Sequence, residues 1–208
     1  ASDVYKRQVV IPNTPDERLF DYQKHGKQQA RGRKEEFIIT AHGTILERYG
    51  YQVLIKAVPY LKEHIPNLKV IILGEGEFLE PLKKLAEELR VQNYVSFMGY
   101  VPLESVPSII SGADIGVVPI VRNEFTVIMA PNKLFEYVAM KIPVIAPKIK
   151  GIQDYFDDSC LMFFSPGDEQ NLAECIIELY RKPKMAKAFA ENAWMRFQHV
   201  KWSVTKER

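Results

Sequence analysis

The residues best equipped for chemistry stand together in Pro131-Asn132-Lys133-Leu134-Phe135-Glu136-Tyr137. Pro131 ahead of a helical pattern fits the first-turn preference for proline. This predicts a helix that opens with the N–H groups of Asn132, Lys133 and Leu134 unpaired and pointing outward. Such a terminus attracts an anion, and Lys133 adds positive charge, so a diphosphate would sit well there. Glu136, one turn further in, is placed to accept hydrogen bonds from two sugar hydroxyls at once. A lone glutamate on an amphipathic helix needs no such role; its neighbours are what single it out.

Three other loops carry weaker signals of the same kind. In His42-Gly43-Thr44-Ile45-Leu46-Glu47-Arg48-Tyr49-Gly50 a glycine lets a ligand come close to the backbone, and Arg48 is available to clamp a phosphate. A plain turn with a surface arginine explains that loop equally well. Gly74-Glu75-Gly76-Glu77-Phe78-Leu79 starts like a dinucleotide fingerprint, but Leu79 occupies the third glycine position. Its two glycines are expected to keep a crevice open, with Glu75 or Glu77 free to bond a ligand or to answer the helix dipole. In Met98-Gly99-Tyr100-Val101-Pro102 the backbone around Val101 is suited to reading the edge of a nucleobase, and a structural turn accounts for the same residues.

These loops need a frame, and the pattern supplies one. Short apolar runs at 37–41, 68–73, 94–97, 115–119, 143–146 and 161–164 alternate with segments whose apolar residues recur at helical spacing. The last two helices are predicted at 169–181 and 183–200. This alternation is that of a parallel sheet covered on both faces, a Rossmann-like α/β domain whose ligands bind beyond the carboxyl ends of the strands. The organisation expected is an N-terminal stub and linker over 1–36, the α/β domain over 37–202 and a tail over 203–208. Residues 17–36 are polar and read as a solvated linker.

The 208 residues are 47% hydrophobic and 26% charged, as in ordinary globular domains, which excludes disordered and disulfide-scaffold classes. With 28 Lys+Arg against 26 Asp+Glu, the net charge of +2 gives no electrostatic case for nucleic-acid binding. Cys160 and Cys175 lack metal-ligand spacing and are expected as buried free thiols. No apolar stretch is long enough to span a membrane. Ala1 to Gln8 has no signal-peptide core and no initiator Met. The string resembles translated sequencing adaptor, which predicts that the chain is the back part of a longer protein.

The ordered set of motifs resembles the C-terminal, donor-binding domain of GT-B glycosyltransferases, specifically glycosyltransferase family 4 (glycosyl transferases group 1). It is carried by Val10-Ile11-Pro12-Asn13-Thr14, His42-Gly43-Thr44 with Arg48-Tyr49-Gly50, Leu73-Gly74-Glu75-Gly76 and Val95-Ser96-Phe97-Met98-Gly99. Further on it rests on Ala113 to Pro119, Asn132 to Tyr137, Pro143 to Ala146 and Pro166-Gly167-Asp168. The resemblance implies transfer of a sugar from a UDP- or GDP-sugar, with retention of configuration and no required metal or other cofactor. The acceptor is a glycan, a lipid-linked molecule or a small molecule. It implies that Glu136 binds the ribose, that backbone near Val101 meets the base, and that Asn132, Lys133 and Leu134 meet the diphosphate with Arg48. His42, Gly43, Gly74, Glu75 and Gly76 complete the donor site, and Arg48 and Lys133 are the catalytic candidates. It further implies an N-terminal GT-B domain that supplies most of the acceptor site, so the isolated chain is expected to bind nucleotide weakly and transfer little. Work in the cytoplasm, at the inner face of the membrane where the acceptor is lipid-linked, is also implied.

The sequence departs from the family pattern in three places. Ile128 stands where the Glu-x7-Glu pattern has its first glutamate, with Glu124 the nearest substitute. Thr44 and Tyr49 stand where an arginine and a lysine are usual, and Lys141 replaces a helix-ending glycine, a position that favours a left-handed backbone. Two other readings remain at this level: a non-catalytic nucleotide-binding or scaffolding module of the same fold, and an unrelated dehydrogenase or flavodoxin-type domain, against which the broken fingerprint at Leu79 argues.

Overall fold

A computed structural model describes residues 12–25 and 36–206. The β-type run at Val9 to Ile11 and the basic stretch at 26–35 lie outside the described residues. Helix α1 (Tyr22–His25) precedes the first strand β1 (Phe37–His42). Helix α2 (Tyr51–His64), β2 (Leu68–Leu73), α3 (Leu79–Glu88), β3 (Val95–Phe97) and α4 (Val106–Ile110) follow. The second half runs β4 (Ile115–Val117), α5 (Asn132–Ala139), β5 (Val144–Pro147), α6 (Lys150–Gln153), β6 (Met162–Phe164), α7 (Glu169–Arg181), α8 (Pro183–Phe197) and α9 (Trp202–Thr205).

The six strands form one parallel sheet in the order β3-β2-β1-β4-β5-β6, with β1 and β2 in register from Phe37 opposite Leu68 to His42 opposite Leu73. Strand order reverses between β1 and β4, so the connections leaving those two strands run to opposite faces of the sheet and leave the crevice expected of such sheets. The strands read as nearly continuous apolar runs because both faces are covered. In β5, Ile145 points into the core under α2, α3 and α7, while Val144 and Ala146 point into the core under α4, α5, α6 and α8. Local signals agree with this frame: the Asp168 carboxylate caps α7 by accepting from the Asn171 N–H at 2.9 Å. Both cysteines are buried and free.

The structure corrects the solvated reading of residues 17–36 where it describes them. Phe20 is 4% exposed and belongs to the second core, with Leu19 beside it. Glu17 accepts from both the N–H and the hydroxyl of Ser203 and pairs with Lys201, which ties the strap to α9. A single buried aromatic among polar neighbours leaves no periodic trace, and α6 and α9, at four residues each, are too short to show one. Among the described residues no helix is long and apolar enough to cross a membrane.

Candidate functional site

A crevice of about 350 Å³ opens at the carboxyl end of the sheet, lined by His42, Gly43, Gly74, Glu75, Val101 and Glu136 among others. Its floor is three loops zipped together. The Gly43 N–H donates to the Leu73 carbonyl, that of Ile45 to Glu75 and that of Gly74 to Gly99. A Cβ on Gly74 would lie 2.0 Å from the Gly43 carbonyl oxygen, and one on Gly76 2.1 Å from that of Ile45. The sequence reading gave these glycines the job of keeping the crevice open. At φ values of 130° and 158° they let two loop backbones touch and so form the floor of the crevice, which Gly74 lines. Gly76 lies under that floor and does not line the crevice.

Glu75 lines the crevice and also makes a bond within the fold. Its Oε1 accepts from the Tyr100 N–H at 3.2 Å, which braces the loop carrying Val101. Val101 is half-buried in the crevice wall, and its own N–H and C=O have no partner among the described residues. The edge of a planar ring would find a donor and an acceptor there.

Helix α5 delivers the charged groups. Pro131 caps it in an extended conformation with no side-chain cap, as proline before a first turn predicts. The N–H groups of Asn132 and Lys133 are unpaired among the described residues, but that of Leu134 is not: it donates to the Pro131 carbonyl at 3.0 Å, and the Leu134 side chain is fully buried in the core. The Leu134 N–H is thereby engaged within the helix, because the first turn closes more tightly than an ideal helix.

Lys133 is buried, with its ammonium against Gly43: a Cβ there would stand 3.2 Å from Nζ. It donates to the Tyr51 hydroxyl at 2.9 Å and sits over the rings of Tyr49 and Tyr51, at 5.3 and 4.9 Å. Among the described residues it has no ion-pair partner. Burial pulls its pKa down from 10.5 to about 8, against the opposing charge of Glu136. Glu136 is mostly buried, and its Oε2 accepts from His42 Nε2 at 2.5 Å.

Arg48 is exposed on a short 3-10 turn, over the far ring of Tyr49 at 5.1 Å, and does not line the crevice. Tyr51, which the sequence reading passed over, takes the inner position; an aromatic residue directly after a left-handed glycine, Gly50, was the available signal. On the loop before α5, Asn123 and Thr126 bond to one another's backbone. They leave Phe125 79% and Ile128 73% exposed. Among the described residues no three His, Cys, Asp or Glu side chains converge as metal ligands.

The Val101 backbone and the Glu136 carboxylate thus line the crevice at the switch point, while Lys133, which like Arg48 is not among the lining residues, lies against Gly43 in its wall. The family model for glycosyl transferases group 1 matches residues 23–195. EpsD of Bacillus subtilis (strain 168), named as a glycosyltransferase, is 27% identical over 86% of this chain and 44% of its own length. Among solved structures, HepE of Anabaena in complex with UDP and glucose superposes with a TM-score of 0.76 at 20% identity, covering 96% of this chain and 55% of that one. The C-terminal domain of the group 1 glycosyl transferase LpcC of Francisella tularensis superposes at 0.71 and 20% identity, covering 88% of this chain and 96% of that domain. This chain therefore spans about half the length of EpsD and HepE and nearly all of an isolated C-terminal domain. The sheet is the Rossmann-like sheet of GT-B glycosyltransferases, and the chain belongs to the glycosyl transferases group 1 family.

Proposed function

We propose that the chain is the donor-binding half of a retaining glycosyltransferase of family 4, which takes a sugar from a UDP- or GDP-sugar without needing a metal ion. The observation that carries this is the Lys133 ammonium, buried with no carboxylate partner among the described residues, beside two N–H groups unpaired among them, and three residues from Glu136. A diphosphate supplies the missing anion. As the glycosidic bond breaks, the leaving diphosphate gains charge, and Lys133 with the Asn132 and Lys133 N–H groups stabilises it in a site that needs no reorganisation. Glu136 holds the ribose diol and the Val101 backbone meets the base. Arg48 is an outer contact for the phosphates, within reach of the same tyrosine ring. Residues 37–202 form the donor domain, and a second α/β domain preceding them supplies the acceptor side, where a glycan, lipid-linked or small-molecule acceptor binds. The work is done in the cytoplasm, at the membrane's inner face for lipid-linked acceptors. The crystallised HepE complex with UDP supports the nucleotide.

Calorimetric titration of uridine and guanosine diphosphates against wild type and Glu136→Ala tests the reading. Loss of a charged hydrogen-bonding partner should weaken binding by about 10- to 100-fold. Equal affinity of the two proteins, or no binding to either, sinks the ribose assignment. Exposed Ile128, where the pattern has glutamate, favours a second reading as a non-catalytic nucleotide-binding module. That reading predicts binding without sugar transfer by the full-length protein.

A further inference from the structure

Lys133 and Glu136 stand three residues apart on α5, a spacing at which opposite charges meet, in surroundings where their attraction is little screened. Each lies in the other's field, yet they form no ion pair with one another among the described residues. Were they to pair, the carboxylate would be closed to a diol and the ammonium to a phosphate. Two residues from other elements intervene. His42, the last residue of β1, donates from Nε2 to Glu136 Oε2. Tyr51, the first residue of α2, accepts a hydrogen bond from Lys133 Nζ on its hydroxyl.

Both holders are themselves fixed. The His42 ring is 5% exposed and meets the Tyr137 ring edge-on at 4.7 Å, and the Tyr137 hydroxyl donates to the Thr40 carbonyl at 3.0 Å. His42 carries a cost that an apolar ring would avoid: its Nδ1 is sealed from solvent with no hydrogen-bond partner among the described residues. The polar contact its side chain makes there, the one to Glu136, offsets that cost. Tyr51 is fully buried, and its hydroxyl reaches Lys133 and nothing else among the described residues.

We propose that His42 and Tyr51 are positioning residues that hold Glu136 and Lys133 apart, keeping the carboxylate open to a ribose diol and the ammonium open to a diphosphate. The inference rests on the donor-site reading above. Its consequence is a division of labour: His42 governs recognition of the sugar hydroxyls, Tyr51 recognition of the second phosphate.

The test uses the 208-residue chain. The probes are whichever of uridine or guanosine diphosphate wild type binds better, its 2′-deoxy counterpart and its monophosphate. In His42→Phe the preference for the ribo over the deoxyribo diphosphate should fall by about tenfold, while the preference for diphosphate over monophosphate survives. Tyr51→Phe should show the opposite pattern. His42→Gln, which restores an N–H donor, should recover ribose discrimination in part. Thermal unfolding followed by circular dichroism establishes that each variant is folded, and ratios taken within one variant cancel any general loss. If both phenylalanine variants weaken all three probes by one common factor, or change none, the proposal is overturned while the donor site stands. Wild type that binds no probe overturns the donor-site reading and this inference with it.

Discussion

Two lysines bracket α5, and they are built from the same parts to opposite ends. Lys141, just past the helix, has its ammonium 4.2 Å from the Trp194 ring centre and 5.1 Å from that of Tyr22, and pairs with Glu191 at 2.8 Å. Lys133, in the first turn, also lies over two aromatic rings but meets a neutral hydroxyl where Lys141 meets a carboxylate. One cation has its anion within the chain; the other is more deeply buried and has none among the described residues. Aromatic faces soften the desolvation of an ammonium but do not replace a counter-charge. On the donor-site reading proposed above, the difference separates a structural lysine from one that takes its anion from a ligand.

The sharpest way to break that comparison is to remove the Lys133 charge. Lys133→Met keeps the length and apolar stem while deleting the ammonium, and nucleoside diphosphate affinity should fall by about 30-fold or more, the worth of a desolvated charge-assisted contact. The same variant should be as stable as wild type or more so by about 1 kcal/mol, because a buried unpaired charge opposes folding. Titration calorimetry and denaturant unfolding on one preparation read both. A variant that loses stability and keeps its affinity would make Lys133 the structural lysine.

The depressed pKa of Lys133 gives a milder perturbation with a fixed sign. The group stays protonated in the unfolded chain up to its ordinary 10.5 but releases its proton near 8 in the fold. Between those values the unfolded state binds more protons, so this group makes the fold more stable as pH rises from about 8 to 10.5. Ligand binding runs the other way. A diphosphate needs the ammonium, so affinity should drop by about tenfold for each pH unit above 8, with proton uptake on binding, and Lys133→Met should abolish that slope.

How far the sequence reveals these two lysines differs in an instructive way. The strands and the long helices follow from periodicity, since a buried parallel sheet leaves continuous apolar runs and an amphipathic helix a regular stripe. Lys133 and Glu136 are legible because a proline and a helix start announce them. The left-handed backbone at Lys141, φ +53°, follows from its place at a helix end. Side-chain partnerships across the fold are not legible: His42 meets Glu136 and Tyr51 meets Lys133 over separations of 94 and 82 residues. Nor does local sequence show that Arg48 turns outward, that Glu75 braces Tyr100, or that Phe20 returns to the core. Each depends on which loops the sheet brings together, a property of topology and not of spacing.

The smallest effect should come from Lys141, and there two opposing contributions can be separated. A non-glycine residue at φ +53° carries strain of about 1–2 kcal/mol. Against it stand one partly buried ion pair and two ring contacts, together worth about 1–2 kcal/mol. Lys141→Ala deletes the contacts and keeps the strain, so it should destabilise by about 1–2 kcal/mol. Lys141→Gly deletes the same contacts and releases the strain, which should leave it near wild type and about 1 kcal/mol more stable than the alanine variant. Neither should change nucleotide affinity, because this lysine's anion is Glu191 and no ligand is needed to supply one. Denaturant midpoints of the two variants measure the strain directly, and an alanine variant as stable as the glycine one would mean that the contacts, rather than the backbone, decide this position.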